Sequence, residues 1–210
     1  GKSTNAAANL VLGGGTLQYS GGNVTTNRSF TLTDATSSSI EVTAPATNLT
    51  VSGASTATTG ALTKIGSGTL TLSGANLYTG LTTVSAGTLA EGANNALSSG
   101  ALTVLGGTFD IGTFTASVGA VTLAGGNITG TSGVLTGTSY AMQSGTVDAI
   151  LGGAGALTKT TAGTVTLSGV NTYTGGTTIA GGMLMVDGAS AKAGTGGTIA
   201  VGANTLNINN

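Results

Sequence analysis

The chain has 210 residues and a formal net charge of −1, and only 5% of its residues are charged, against about 25% in an average globular protein. The five basic residues are scattered along the sequence, which argues against nucleic-acid binding. No apolar run approaches the roughly 18 residues of a membrane-spanning helix, so we expect no membrane insertion of this segment. A hydrophobic fraction of 39% with so little charge argues against disorder, although 39 residues are glycine.

Short alternating segments begin near the N-terminus. Residues 10–12 and 16–19 flank three glycines and predict a strand, a turn and a second strand. Further runs in which apolar and hydroxyl residues alternate follow at 30–33, 39–43 and 49–51. Glycine suits the corners between such strands, because tight corners need backbone angles that residues with a Cβ avoid.

A long block then occurs twice. Residues 61–89, the first repeat block, have the sequence ALTKIGSGTLTLSGANLYTGLTTVSAGTL. Residues 156–184, the second repeat block, have the sequence ALTKTTAGTVTLSGVNTYTGGTTIAGGML, at a constant offset of 95 residues (156 − 61) and without a gap. Duplication with the register kept is typical of a repeat architecture. Among the identical positions we single out these as structural repeat positions: Gly68, Leu72, Gly74, Asn76, Tyr78, Gly87, Gly163, Leu167, Gly169, Asn171, Tyr173 and Gly182.

Strand starts recur at a period near 20 residues. The step from Thr69 to Thr88 is 19 residues (88 − 69), and the step from Thr88 to Thr108 is 20 (108 − 88). Short strands at this period predict a parallel β-helix, in which each coil needs the coils above and below it to bury its apolar side.

Both blocks resemble the autotransporter-associated β-strand repeat, also called the passenger-associated transport repeat. Its pattern is roughly G-x-G-T-L-T-L-S-G-x-N-T-Y-T-G-G-T-T-x-x-x-G-T-L, and the two blocks cover roughly a quarter of the chain. The second block lacks the first of the paired glycines, at Thr161, and the first block departs from the pattern at Leu77 and Leu81. The resemblance implies a β-helical passenger segment of a secreted bacterial surface protein. It is not specific for any activity.

The pattern loosens between residues 97 and 150 but continues to the end of the chain. Strands are predicted at 101–105, 108–111, 121–123 and 127–129, and the last two at 198–201 and 205–208. No segment has a 3.6-residue period, so we expect essentially no helix. We therefore predict an all-β fold in which residues 1–210 form one single-stranded, right-handed parallel β-helix, a solenoid of roughly ten coils of about 20 residues each.

The residue types argue against catalysis. There is no histidine and no cysteine, which removes the commonest catalytic base and the soft metal ligands. Among the six acids, Glu91 and Asp110 lie about one coil apart and could stack on one face. Because no basic partner recurs with them, we interpret the acids as solvated corner residues. We predict no catalytic residue, no cofactor and no metal site, and we do not expect an enzyme.

The asparagines and tyrosines of the blocks allow two interpretations. Asn76 and Asn171 could hydrogen-bond to neighbouring coils from the corners, and Tyr78 and Tyr173 could cap the apolar core with their hydroxyls outward. The alternative is a sugar-binding surface with tyrosine platforms and asparagine donors. An ice-binding array is disfavoured, because Gly, Ala, Ser and Asn interrupt the Thr-x-Thr pairs that it needs.

From these patterns and the resemblance we expect a structural extracellular rod or stalk, a passenger segment at the bacterial cell surface. A self-assembling head-to-tail filament subunit and an adhesin or glycan-binding module stay open as alternatives. Neither end shows a clear capping element, so the expected partners are further coils of a parent chain or identical molecules stacked end to end. A host or surface glycan is the partner of the adhesin alternative. The chain starts at Gly1 without Met or a signal peptide, and we expect a processed product or part of a longer protein.

Overall fold

Almost all regular structure is β-strand in the computed structural model, which describes residues 4–188 and 190–209. Within those residues the only helical element is a 3-10 turn at Ala7–Asn9. The prediction of an all-β fold is confirmed. Gly1 lies outside the described residues, so the expectation of a processed product or part of a longer protein stays a prediction.

Two parallel sheets run along the whole stack, and the chain alternates between them, so that each coil supplies one strand to each sheet. The first sheet contains β2 (Thr16–Tyr19), β5 (Ser37–Val42), β7 (Ala61–Ile65), β9 (Thr82–Val84), β11 (Leu102–Val104), β13 (Thr115–Leu123), β15 (Val134–Met142), β18 (Leu157–Lys159), β20 (Thr177–Ile179) and β22 (Ile199–Val201). The second sheet contains β3 (Val24–Thr26), β6 (Asn48–Val51), β8 (Thr69–Leu72), β10 (Thr88–Glu91), β12 (Thr108–Asp110), β14 (Asn127–Thr129), β16 (Gly145–Val147), β19 (Thr164–Leu167), β21 (Met183–Asp187) and β23 (Thr205–Asn209).

A third, less regular side closes each coil. It contains the paired strands β1 (Val11–Leu12) and β4 (Thr31–Leu32), and β17 (Ile150–Gly152), which pairs with β15. Elsewhere this side has single bridges, such as the one between Ser55 and Asn76. This is the side on which the asparagines and tyrosines of the repeat blocks lie.

The pairing register gives the coil its length. In the first sheet Leu62 pairs with Thr82 and Thr82 with Leu102, two steps of 20 residues. The column continues through Val121 and Tyr140 to Leu157, so the two repeat blocks lie five coils apart. The predicted solenoid of roughly ten coils is confirmed, and at about 4.8 Å per coil it is about 50 Å long. The right-handed sense of the coil stays a prediction, founded on the preference of parallel crossovers for that hand.

The core is a column of inward side chains. In β6 and β8 buried and partly exposed residues alternate, which is the period-two pattern of a strand with one face inside. Each inward residue stacks on its counterpart one coil away, and one such column in the second sheet consists of Val24, Leu49, Leu70, Leu89, Phe109, Ile128, Val147, Leu167, Val186 and Ile208. Burial of each inner member of the column, from Leu49 to Val186, contributes about 1.5–3 kcal/mol. Stability therefore grows coil by coil along this column.

Glycine is required at the corner that precedes β10 and at the matching corner of the second block. Gly87 has φ 62°, and a Cβ built there would lie 2.4 Å from the carbonyl oxygens of Gly66 and Gly68. Gly182 has φ 63°, and its Cβ would lie 2.4 Å from the carbonyl oxygen of Gly163. Backbone, which cannot move aside cheaply, is the obstacle in both cases.

Gly87→Ala is expected to lower the free energy of unfolding by about 2 kcal/mol, because it combines a left-handed backbone with a backbone clash. The measurement is chemical denaturation followed by circular dichroism. Gly15→Ala is the matched control, since a Cβ at Gly15 would meet nothing within 4 Å. Equal midpoints for the two variants would contradict the expectation.

Candidate functional site

The structural repeat positions lie where neighbouring coils approach each other. Leu72 and Leu167 are buried in the inner columns. At Gly74 a Cβ would lie 2.4 Å from the carbonyl oxygen of Gly53, one coil below, and at Gly169 it would lie 2.3 Å from that of Ala149. Gly68 and Gly163 likewise face backbone of the preceding coil. A Cβ at Gly68 would lie 2.5 Å from the carbonyl oxygen of Ala44, and one at Gly163 would lie 2.9 Å from that of Gln143. These glycines let one coil rest directly on the next.

Asn76 connects three successive coils. Its Oδ1 accepts a hydrogen bond from the backbone N–H of Ser55 in the coil below, at 3.1 Å. Its Nδ2 donates to the carbonyl oxygen of Gly74 in its own coil, at 3.0 Å, and to that of Ala96 in the coil above, at 2.6 Å. The side chain is buried, so its amide replaces water as the partner of all three backbone groups.

Asn171 repeats this arrangement in the second block. Its Oδ1 accepts from the N–H of Leu151 at 2.8 Å, and its Nδ2 donates to the carbonyl oxygens of Gly169 at 3.1 Å and Lys192 at 2.7 Å. The three partners again belong to the coil below, the same coil and the coil above. The two asparagines are thus equivalent cross-links between coils.

Tyr78 and Tyr173 do not present their hydroxyls to solvent, and the expectation that they would was wrong. Both side chains are 0% exposed, and their hydroxyls share hydrogen bonds with Thr82 Oγ1 at 2.8 Å and Thr177 Oγ1 at 2.7 Å. Burial raises the pKa of Tyr78 and that of Tyr173 to about 12. The hydroxyls find partners inside because threonine replaces an aliphatic residue in the adjoining inner column. Neither ring can serve as a surface platform for sugars.

Lys64 and Lys159 are inward residues, which sequence reasoning missed. Both are 0% exposed and belong to one inner column of the first sheet, in which Lys64 lies between Ile40 and Val84. Lys64 Nζ donates to the carbonyl oxygens of Ile65 at 2.7 Å, Gly66 at 2.9 Å and Ala86 at 3.2 Å. The sequence does contain an indication of this burial, because the alternation in Leu62-Thr63-Lys64 places Lys64 on the buried face.

Lys159 occupies the equivalent position in the second block and bonds to the corner in the same way. Its Nζ donates to the carbonyl oxygen and, at 3.3 Å, to the hydroxyl of Thr161, and to the carbonyl oxygen of Gly181 in the next coil at 3.1 Å. Each ammonium therefore binds carbonyl oxygens of its own corner and of the corner above. The three donors of a lysine suit this task, and the partners are peptide dipoles rather than a carboxylate.

We expect the stability of the chain to rise by about 2 kcal/mol between pH 8 and 9.5, and Lys64→Met to reduce that rise. Burial lowers the pKa of Lys64 from 10.5 to about 8, against an opposing contribution from Glu41, and burial also lowers the pKa of Lys159. The unfolded chain therefore binds more protons than the folded one between about pH 8 and 10.5, so folding is favoured as the pH rises. Urea midpoints across this range test the expectation. Lys192→Met, at an exposed lysine, is the control that should keep the full rise.

Glu91 is buried, which corrects the interpretation of the acids as solvated corner residues. It pairs in register with Leu72 and points inward, where its carboxylate accepts hydrogen bonds from the N–H groups of Ala96 at 3.0 Å and Leu97 at 3.1 Å. Asp110 pairs in register with Ala90 instead, so these two acids lie on opposite faces. The suggestion that they stack on one face was wrong.

The remaining chemistry-bearing residues do not converge. No group of three or more acidic, histidine or cysteine residues is placed to bind a metal among residues 4–188 and 190–209. In the same described parts of the chain, no helix has the length and apolar character of a membrane span.

The outer face of the first sheet is a column of small, mostly hydroxyl side chains. One outward position per coil stacks along the sheet, and its members are Thr16, Ser39, Thr63, Thr83, Thr103, Thr122, Ala141, Thr158, Thr178 and Ala200. The adjacent outward position includes Glu41 and Ile65, which pair in register. Paired Thr-x-Thr rows therefore do not form on this face.

Comparison with known proteins agrees with this architecture. The passenger-associated transport repeat family matches residues 62–90 and 157–186, so the predicted repeat is confirmed in both blocks. The adhesin BmaC autotransporter of Brucella suis biovar 1 (strain 1330) is 45% identical over 78 residues, which is 37% of this chain. The similar stretch spans 2% of the length of that adhesin. No solved structure gives a significant match to the chain.

Proposed function

Because the chain carries two passenger-associated transport repeats, we propose that it is a stiff, non-enzymatic stalk segment of an autotransporter passenger, exported to the bacterial cell surface. In this role the segment holds other parts of a longer protein away from the membrane. The similarity to an autotransporter adhesin supports the surface location.

The main support for the proposal is that the polar side chains shared by the two blocks point into the stack rather than towards solvent. Asn76 and Asn171 cross-link three coils each, and Lys64 and Lys159 cross-link two, all from inside the stack. A binding site would present such groups to a ligand. Here they bind the backbone of neighbouring coils, so they resist bending and separation of the coils.

A deletion matched to the repeat tests the stalk. Removal of residues 68–162 takes out 95 residues (162 − 68 + 1) and joins Ser67 to Gly163, the equivalent of Gly68. We expect a folded rod shorter by about 24 Å, that is, by five coils at about 4.8 Å each. Small-angle X-ray scattering measures the length, and removal of 68–157 is the out-of-register control, which we expect to misfold. A folded deletion variant of unchanged length would refute the stalk.

The second candidate function is adhesion. It is favoured by the similarity to an autotransporter adhesin and by the column of uncharged, mostly hydroxyl side chains on the outer face of the first sheet. The isolated chain on a glycan array and on host cells tests it. Specific binding that is abolished by Thr103→Asp, with the fold retained, would support adhesion over the stalk. Binding unaffected by that substitution, or none at all, would count against this face as an adhesive surface.

A further inference from the structure

The outer face of the first sheet carries almost no charge. On each side of the central hydroxyl column, every strand presents one further outward residue. From β5 to β15 the residues before the column are Ser37, Ala61, Leu81, Ala101, Ala120 and Ser139. The residues after it are Glu41, Ile65, Ser85, Leu105, Ala124 and Gln143. We call the three columns the neutral face, because among their described residues Glu41 is the one charged side chain.

Two leucines on the neutral face are exposed in the middle of the stack. Leu81 and Leu105 are 42% and 50% exposed. They adjoin β9 and β11, the fourth and fifth strands of the first sheet, so the ends of the chain do not account for their exposure. The outer face of the second sheet is different, since Asp110, Asp148 and Asp187 all lie on it. Two such acidic faces would repel each other, whereas two neutral faces would not.

The neutral face is complementary to itself when a second copy is turned end over end. A two-fold axis that lies between β9 and β11, parallel to the strands, places β9 of one molecule opposite β11 of the other. Leu81 then lies opposite Ala101 of the second copy. Leu105 lies opposite Ser85 of the second copy. Each exposed leucine therefore meets a small side chain, and both molecules use the same patch, as in an isologous interface.

The next strands continue this match. β7 lies opposite β13 of the second copy, so that Ile65 meets Ala124. β5 lies opposite β15, so that Glu41 meets Gln143 of the second copy. A glutamine amide already donates to this carboxylate within the chain, from Gln18 Nε2 at 2.8 Å. The single charge of the neutral face thus meets a hydrogen-bond donor rather than a second charge.

The overlap is large enough for a specific dimer. With the axis between β9 and β11 it spans the eight strands from β2 to β18. Eight strands at about 4.8 Å and five residues of each strand at about 3.3 Å give about 600 Å² on each copy. The total of about 1,200 Å² lies at the lower end of the range for specific protein interfaces.

We propose that two copies of the chain pack their neutral faces together, antiparallel, as a two-fold dimer. The pairing goes beyond the proposed stalk, because a monomeric rod would refute the dimer and leave the stalk intact. It competes with adhesion for the same face, so a glycan or a host protein is the other occupant that the experiments must separate from a second copy.

Sedimentation velocity over a range of concentrations is the first measurement. We expect the wild-type chain to reach about twice the 19.7 kDa of one molecule and no larger mass, because a two-fold contact closes on itself. Leu81→Asp places a carboxylate inside the contact and should weaken the dimer about a hundredfold. Thr103→Asp, in the central column, repeats the test with an independent substitution.

Leu77→Asp is the matched control, because Leu77 is 57% exposed but lies on the third side of the coil, outside the neutral face. It should dimerise like the wild type, and circular dichroism should show the same fold for all variants. A dimer that persists equally in Leu81→Asp and Leu77→Asp would overturn the proposal. A monomeric wild-type chain that binds glycans or host cells would also overturn it and would assign the face to adhesion.

A spin label tests the antiparallel register. The chain has no cysteine, so Ala180→Cys, after the ninth strand β20, gives one labelling site in each molecule. In the antiparallel dimer the two sites lie nine coil spacings apart, about 43 Å along the rod, whereas in a parallel dimer they would lie at the same height. Pulsed electron paramagnetic resonance measures the distance. We expect about 45 Å, and a distance below about 20 Å would contradict the antiparallel pairing.

Discussion

Asn76→Ala is expected to lower the free energy of unfolding by about 3–5 kcal/mol. The change leaves three buried backbone groups without a partner, the N–H of Ser55 and the carbonyls of Gly74 and Ala96. Each unpaired buried group costs about 1–3 kcal/mol. Urea denaturation monitored by circular dichroism measures the loss.

Asn76→Asp separates hydrogen bonding from shape. Aspartate keeps the volume and the acceptor for Ser55 but has no amide hydrogens for the two carbonyls, and ionised it places charge against them. We expect a loss close to that of Asn76→Ala. Asn94→Ala is the control, since Asn94 is exposed and accepts one hydrogen bond, from the N–H of Thr115 at 2.9 Å. If the control costs as much as Asn76→Ala, the cross-link contributes little.

Asn171→Ala should cost about as much as Asn76→Ala, because the two side chains make the same three kinds of bond. The sites are five coils apart and share no partner, so the effects in the double variant should add within about 0.5 kcal/mol. A clear excess or shortfall would show that distant coils are coupled. Near-additivity would instead describe a stack stabilised by contacts between nearest neighbours.

The repeating part of the fold could be predicted from the sequence because one physical rule governs every coil. An alternating run such as 69–72 can bury only one of its faces, and the constant spacing brings equivalent faces into one column. β13 and β15 were predicted too short, if at all, since β13 covers Thr115–Leu123 whereas only 121–123 was predicted. Their extension depends on pairing along the third side of the coil, which no local pattern indicates.

The inward polar residues could not all be predicted, for a different reason. Charged residues are almost never buried without a partner, so Glu91 was interpreted as a solvated corner residue, and the burial of Lys64 and Lys159 was not predicted. Their partners are backbone groups of corners and loops, such as Ala86 for Lys64 and Leu97 for Glu91. Every residue has these backbone groups, so residue types do not show which of them will bind a buried charge. The identical lysine in both repeat blocks, within an alternating strand, was the one available indication.

As the pH rises from about 4.5 to 8, we expect the wild-type chain to lose about 3 kcal/mol of stability. We expect the Glu91→Gln variant not to show this loss. Burial raises the pKa of Glu91 from 4.5 to about 7, while hydrogen bonds from the N–H groups of Leu97 and Ala96 act in the opposite direction. The neighbouring ionisable group is Tyr78, which stays neutral in this range because its pKa is raised to about 12.

The sign of this effect follows from proton binding. Between about pH 4.5 and 7 the folded chain keeps a proton on Glu91 that the unfolded chain releases, so the stabilisation is complete below 4.5 and is lost as the pH passes 7. Urea midpoints measured from pH 4.5 to 8 should slope downward for the wild type and for Glu41→Gln, a control on the outer side of β5 that bonds to Gln18. The Glu91→Gln curve should lack that slope. Parallel curves for all three chains would mean that the carboxylate is solvated when ionised, and that the loop 92–101 opens to admit water.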